Sequence, residues 1–177
     1  GRLESYSSAG NTYTLQYDGG TGQLLNENPS DPGFPKISYG YDSMNRVDRH
    51  TVSVGSESID QKFTYDSEFP GNIDTFTSQE TGTAGAFTTD VDYEYNAGGL
   101  LEKVTQNGEE TSYTYTGPIV TRVEGPALDR EVTYTGKLVT EIVENGLTTQ
   151  MGYDGAQRLD RVEGTGVKQE FGYKTSG

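Results

Sequence analysis

The chain has 177 residues, 27 Asp and Glu against 13 Lys and Arg, a net charge of −14 and no Cys. That length suits one domain or part of a larger one, and the lack of Cys rules out a disulfide framework, a zinc ribbon and a thiol nucleophile. The acidic balance argues against nucleic acid or an anionic membrane as a partner, because both need clustered cations.

No apolar run approaches the roughly 18 residues that cross a bilayer, so membrane insertion is not expected. Leu, Ile, Val and Phe together make up about 19% of the chain. That falls below the roughly 20% at which a strongly charged chain is suspected of disorder. Thirteen Tyr offset the shortage, since each ring can bury on the order of 150–250 Å² while its hydroxyl reaches a polar partner.

Read from the start, Gly1-Arg2-Leu3-Glu4 has neither a start Met nor the apolar core of a signal peptide, so the chain reads as cut from something longer. From residue 15 a single pattern recurs. Tyr followed by Asp, Asn, Thr or Lys occurs at Tyr17-Asp18, Tyr41-Asp42, Tyr65-Asp66, Tyr95-Asn96, Tyr115-Thr116, Tyr134-Thr135, Tyr153-Asp154 and Tyr173-Lys174, at spacings of 24, 24, 30, 20, 19, 19 and 20 residues. Two residues before each stands Leu15, Tyr39, Phe63, Tyr93, Tyr113, Val132, Met151 or Phe171. Period-2 placement puts both members on one strand face, and a period near 20 residues means an array of one supersecondary unit. No segment shows a sustained helical period, so the fold class is all-β.

Two segments interrupt the pattern. Residues 26–36 carry Pro29, Pro32 and Pro35 and read as an inserted loop without a strand. Residues 77–90 are rich in Thr and Gly and read as an irregular insertion, either an extended strand pair or a loop. Further on, Asn107-Gly108 and Asn145-Gly146 are the strongest short hairpin signals, since a type I′ turn needs positive φ at both central residues. A two-residue loop at Asn145-Gly146 sets Glu144 opposite Leu147, Ile142 opposite Thr149 and Leu138 opposite Tyr153. The same construction at Asn107-Gly108 sets Leu100 opposite Tyr115.

The run Tyr39-Gly40-Tyr41-Asp42-Ser43-Met44-Asn45-Arg46-Val47 resembles the YD or RHS repeat, Tyr-x-Tyr-Asp-x-x-Gly-Arg-Leu, with Asn45 where that family has Gly. Met151 to Leu159 and Leu15 to Leu24 look like further copies, Gly1-Arg2-Leu3 like the tail of one and Phe171 to Lys174 like the head of another. The copies at Tyr115 and Tyr134 depart from the pattern, lacking the Asp and having turns two residues shorter. The resemblance covers nearly all of residues 1–177. It implies an array of antiparallel β-hairpins forming a curved, spiralling sheet, a segment of a larger shell similar to those of Rhs toxins, toxin-complex cocoons, wall-associated proteins and teneurins. It implies a non-enzymatic structural role, secreted or at the cell surface, with neighbouring repeats, enclosed toxin cargo or surface glycans as partners. A carbohydrate-binding adhesin surface is the alternative.

No catalytic, cofactor or metal residues are expected. The repeat tyrosines are expected to form a ladder of packed rings with locally satisfied hydroxyls, the unit of sheet stability being the cross-strand pair. Asp18, Asp42, Asp66, Asn96 and Asp154 stand where an Asx-turn needs an acceptor. His50, the one histidine, reads as an exposed strand end beside Arg49. Asp90, Asp92 and Glu94 read as a solvated strand face, without the six to eight oxygens of a calcium loop. Asp31-Pro32-Gly33-Phe34 reads as a Pro-rich turn.

Overall fold

The computed structural model describes residues 1–83 and 85–174. Residue 84, within the predicted insertion, and residues 175–177, at the end of the predicted array, lie outside the described residues. Among the described residues every regular element is a β-strand, as the absence of a helical period predicts.

The chain divides into two compact units, Gly1–Tyr93 and Glu94–Gly177. The first holds β1 (Ser5–Ser8), β2 (Asn11–Tyr17), β3 (Leu24–Pro29), β4 (Lys36–Tyr41), β5 (Val47–Val54), β6 (Glu57–Tyr65), β7 (Ile73–Gly82) and most of β8 (Gly85–Tyr95). The second holds β9 (Leu101–Gln106), β10 (Glu109–Thr116), β11 (Ile119–Gly125), β12 (Leu128–Thr135), β13 (Leu138–Glu144), β14 (Leu147–Tyr153), β15 (Leu159–Gly164) and β16 (Val167–Glu170). Within each unit sheet order is chain order, so both are arrays of antiparallel hairpins.

Among the described residues each unit is a single layer, its strands touching only their sequence neighbours. In the first unit, cross-strand partners place Tyr6, Tyr13, Tyr39, His50, Val52, Ile59, Phe63, Phe76 and Val91 on one face. Arg49, Asp60, Lys62, Thr77 and Asp90 fall on the other. A period of two thus sorts aromatic from charged residues. With no second layer, this apolar face stays largely half-buried: Tyr13 and Val91, at 7% and 8% exposure, are the buried hydrophobic residues described. Ring contacts on this face pair Tyr6 with Tyr13, Tyr39 with His50 and Phe63 with Phe76, at 5.0–5.3 Å.

The structure corrects the first interruption and decides the second. Residues 24–29 form β3, paired with β2 as far as Tyr13↔Pro29, so the loop proper begins at Ser30. Pro29 is tolerated at the strand's last residue because the next bond to β2 is made by the Ser30 amide, which donates to the Thr12 carbonyl at 2.8 Å. Residues 77–90 are not irregular: β7 and β8 pair continuously from Thr75↔Asp92 to Gly82↔Gly85, which makes the extended strand pair the observed alternative. Alternating Thr and polar residues satisfy strand propensity there despite the Gly content.

The Asn-Gly hairpins form with φ of 51° and 86° at Asn107-Gly108 and 49° and 79° at Asn145-Gly146. Their registers hold for four pairs each, to Ser112↔Lys103 and Glu141↔Gln150, and then stop. The reason is a β-bulge in every hairpin whose ladder includes a repeat tyrosine. Tyr17, Tyr41, Tyr65, Tyr115, Tyr134 and Tyr153 pair with Leu24, Val47, Ile73, Val120, Val139 and Leu159, and the register shifts beside each pair. One residue on the second strand (Leu25, Asp48, Asp74, Thr121, Thr140 or Asp160) is left over, which bends that strand and raises its twist. Because Tyr115 pairs with Val120, the Thr-type turn is one residue shorter than those at Tyr41↔Val47 and Tyr153↔Leu159 and two shorter than that at Tyr17↔Leu24.

The position that the resemblance assigns to Gly is left-handed in four copies: φ is 78° at Gly22, 63° at Asn45, 75° at Gly99 and 61° at Gln157. Asn visits this region at low cost, Gln does not. Gln157→Gly is therefore expected to raise the urea-unfolding stability by about 0.5 kcal/mol, and Gly146→Val to lower it by about 1–2 kcal/mol. Gly155→Ala, at an open position without positive φ, should change little, and equal effects at all three positions would contradict this account.

Candidate functional site

The repeat tyrosines converge on one hydrogen bond. The hydroxyls of Tyr17, Tyr41, Tyr65, Tyr115, Tyr134, Tyr153 and Tyr173 donate to the backbone carbonyls of Leu3, Leu24, Val47, Leu101, Val120, Val139 and Leu159, at 2.6–3.5 Å. Every acceptor is a Leu or Val at the first or second residue of the second strand of the preceding repeat, or, for Leu3, two residues ahead of β1. The acceptor lies two residues beyond the last register pair between the hairpins, as Leu159 lies beyond Arg161↔Glu170 and Val139 beyond Glu141↔Gln150. The bulge ends the ladder there, and the phenol supplies the donor that a backbone N–H would otherwise supply. Tyr153 therefore reaches Val139, one residue from the Leu138 that an unbulged register predicts.

The rings are half-buried, apart from the exposed Tyr173. Burial raises the Tyr115 phenol above its ordinary pKa, so it stays a neutral donor at any physiological pH. Tyr95 also has a partner.

The residue after the tyrosine closes the turn. Asp18 Oδ1 accepts from the amides of Gly20 and Thr21, Asp42 Oδ1 from Met44 and Arg46, Asp66 Oδ1 from Glu68 and Phe69, Asn96 Oδ1 from Gly98 and Leu100, and Asp154 Oδ1 from Ala156 and Arg158. These are Asx-type bonds of 2.6–3.1 Å. Thr116 pairs instead with Ile119 across a two-residue turn.

In two copies the turn also holds an arginine. Arg46 Nε donates to Asp42 Oδ2 at 2.7 Å and Arg158 Nε to Asp154 Oδ2 at 2.8 Å. Their guanidinium carbons then lie 4.0 and 4.2 Å from the ring centres of Tyr65 and Tyr173 in the following repeat. Arg2 lies over Tyr17 in the same way, at 5.4 Å. A cation held by one repeat thus covers the ring of the next.

These bonds shift the carboxyl groups. The Arg158 amide and guanidinium hold Asp154 below the usual carboxylate range, and the Thr21 amide and hydroxyl do so for Asp18. Asp42 is pushed up by burial, but the Arg46 amide and guanidinium outweigh that and leave it lowered.

Sequence reasoning missed a second constellation on the same face of the first unit. Glu27 accepts from the Tyr6 hydroxyl at 2.5 Å and the Tyr39 hydroxyl at 2.7 Å. Tyr6 stacks on Tyr13 at 5.0 Å, and its phenol is pushed up to about 12 by the bond to Glu27. His50 is not an exposed strand end. It is half-buried within β5, tilted against Tyr39 at 5.3 Å and bonded through Nδ1 to Gln61 at 3.1 Å. Period-2 counting puts Tyr39 and Tyr41 on one face, but only the sheet order brings β3 and β5 beside them, with Tyr6 reaching Glu27 from β1 across β2.

Elsewhere, Asp31 accepts from the Gly33 amide at 2.8 Å in a turn, and the nearly inaccessible Asn11 accepts from Ser30 and Asp31. Asp90, Asp92 and Glu94 lie on the exposed face of β8, where Glu94 pairs with Lys103 at 2.5 Å. Among the described residues no three His, Cys, Asp or Glu side chains converge as a metal site would require.

No known protein family and no curated protein matches the sequence. Solved structures do resemble the fold. The crystal structure of TcdB2-TccC3-Cdc42 aligns with a TM-score of 0.42 at 12% identity, over 86% of this chain and 12% of that one. A porin-like protein from Bacteroides uniformis aligns at 0.42 and 14%, over 95% and 90%. TcdB2-TccC3 aligns at 0.23 and 11%, over 88% and 13%. The chain therefore spans about an eighth of each of the two TcdB2-TccC3 chains.

Two measurements probe this site. Tyr115→Phe leaves the Leu101 carbonyl without its donor and should lower stability by about 1–2 kcal/mol, against less than about 0.5 kcal/mol for Tyr113→Phe, in urea unfolding. Because folding lowers the pKa of Asp18, Asp42 and Asp154, their contribution is complete above the unfolded value of about 3.9 and is lost as pH falls through the folded values. A variant carrying Asp42→Asn and Asp154→Asn keeps an Oδ acceptor, as Asn96 does, and should lose less of its urea midpoint between pH 5 and pH 2 than the parent chain.

Proposed function

We propose that this chain is a non-enzymatic structural segment of a YD/RHS-type array, contributing curved β wall to a larger secreted or cell-surface protein that encloses cargo or builds a surface scaffold. The observation that carries this reading is the use made of the repeat tyrosines. Their hydroxyls are engaged on backbone carbonyls of the chain itself, at one position per repeat. The most regular chemistry in the sequence therefore joins hairpin to hairpin. It leaves no row of free phenols for a sugar or a substrate. A hairpin alone is marginal in water, whereas stacked repeats sum their interface energies.

An array of this kind tolerates the loss of a whole repeat but not of half of one. Removal of Thr116–Tyr134, one full period, rejoins Tyr115 to Thr135 with every later tyrosine still facing a Leu or Val carbonyl. It should leave a cooperatively unfolding all-β chain by circular dichroism and urea titration. Removal of β12 alone reverses the alternation of strand direction and should abolish folding. Equal collapse of both deletions would refute the modular wall. Binding to one sugar class on a glycan array, lost on substitution of repeat tyrosines, would replace it with an adhesin surface.

A further inference from the structure

The tips of two long hairpins in the first unit build a feature that the tyrosine ladder does not use. Cross-strand pairing sets Val52, Ile59, Glu80 and Phe87 in one row across β5 to β8. The next row toward the tips begins with Val54↔Glu57 and ends with Gly82↔Gly85. Side chains stand up along the first row, whereas the second has no Cβ on β7 and β8. The outcome is an open hollow of about 630 Å³, within the ~300–1,000 Å³ of ligand sites.

Its apolar residues are uncovered: Phe87 is 61% exposed, Ile59 40% and Val54 37%. Its charged residues are Glu57 and Glu80. Neither makes an ion pair among the described residues, and Glu57 accepts only a long bond, 3.5 Å, from Thr83. Asp60 and Asp42 in the same unit, by contrast, are held by Arg49 and Lys62 and by Arg46. A second copy of this chain is a poor occupant, since both partners would bring −14 and the hollow itself is acidic.

We propose that this hollow docks a basic, apolar peptide segment of a partner. One bulky aliphatic or aromatic side chain seats over Gly82 and Gly85 beside Phe87, and a neighbouring Lys or Arg pairs with Glu57 and Glu80. The apolar contact provides the affinity, and the two carboxylates select the sign of the flanking charge. This inference does not rest on the wall reading.

The test is fluorescence anisotropy of the whole chain with three labelled hexapeptides, Lys-Lys-Phe-Leu-Lys-Lys, Lys-Lys-Ala-Ala-Lys-Lys and Glu-Glu-Phe-Leu-Glu-Glu. The first should bind, with affinity falling as salt is raised, and the other two should bind at least about tenfold more weakly. Phe87→Ala and the pair Glu57→Gln with Glu80→Gln should each weaken the first peptide by about tenfold or more, whereas Leu147→Ala, at an exposed apolar residue of the second unit, should not. All these side chains are exposed, and circular dichroism establishes that each variant is folded. Absence of binding at millimolar peptide, equal binding of the acidic peptide, or affinity unchanged in Phe87→Ala would overturn the proposal.

Discussion

One hydrogen bond organises the array: a tyrosine hydroxyl on the carbonyl that a β-bulge leaves behind one hairpin earlier. Bulging bends the second strand away from the following hairpin, so the regular ladder stops short of its end and a polar backbone group loses its partner. A phenol is long enough to reach that carbonyl from the neighbouring strand, and its ring meanwhile covers the apolar face. Phenylalanine would give the ring without the donor. The bond lies at the Asp-turn end of each hairpin, and the opposite end is free to vary. The hydroxyl reaches back 14 residues to Leu101 or Val139 but 17 and 18 to Leu24 and Val47, with the extra residues accommodated in longer hairpins. The hollow beside Phe87 grows at those lengthened tips.

The turn at the fixed end is more than a connection. Asp42 and Asp154 each organise backbone amides and orient an arginine, which then covers the tyrosine of the next repeat. Asx-turn, cation and ring form one unit spanning two repeats. Copies without the acid, at Thr116 and Thr135, use two-residue turns and keep the tyrosine bond. The hydroxyl–carbonyl contact is thus the common element, and the arginine bracket is an addition.

Much of this was legible in the residues. The all-β class followed from period-2 placement of Tyr and its apolar companion, and Asn107-Gly108 and Asn145-Gly146 fixed two hairpins and their first pairs. The bulge was not legible, because an extra unpaired residue leaves no mark on composition or alternation. That is why Tyr153 was expected opposite Leu138 and meets Val139. Pro29 concealed a strand that ends on it. The Tyr6–Glu27–Tyr39 cluster was invisible because its members lie on three strands whose loops have unrelated lengths.

The sequence by itself determined which residues share a face, where chain direction reverses and which side chain closes each turn. These are local properties, governed by backbone sterics, turn chemistry and a period of two. Tertiary structure decided what the tyrosine hydroxyls touch, that His50 leans on Tyr39, and that Glu57 and Glu80 stand among exposed apolar side chains without an ion pair among the described residues. Such contacts join residues on different strands. They depend on where each ladder stops, and that depends on a bulge only the folded backbone reveals.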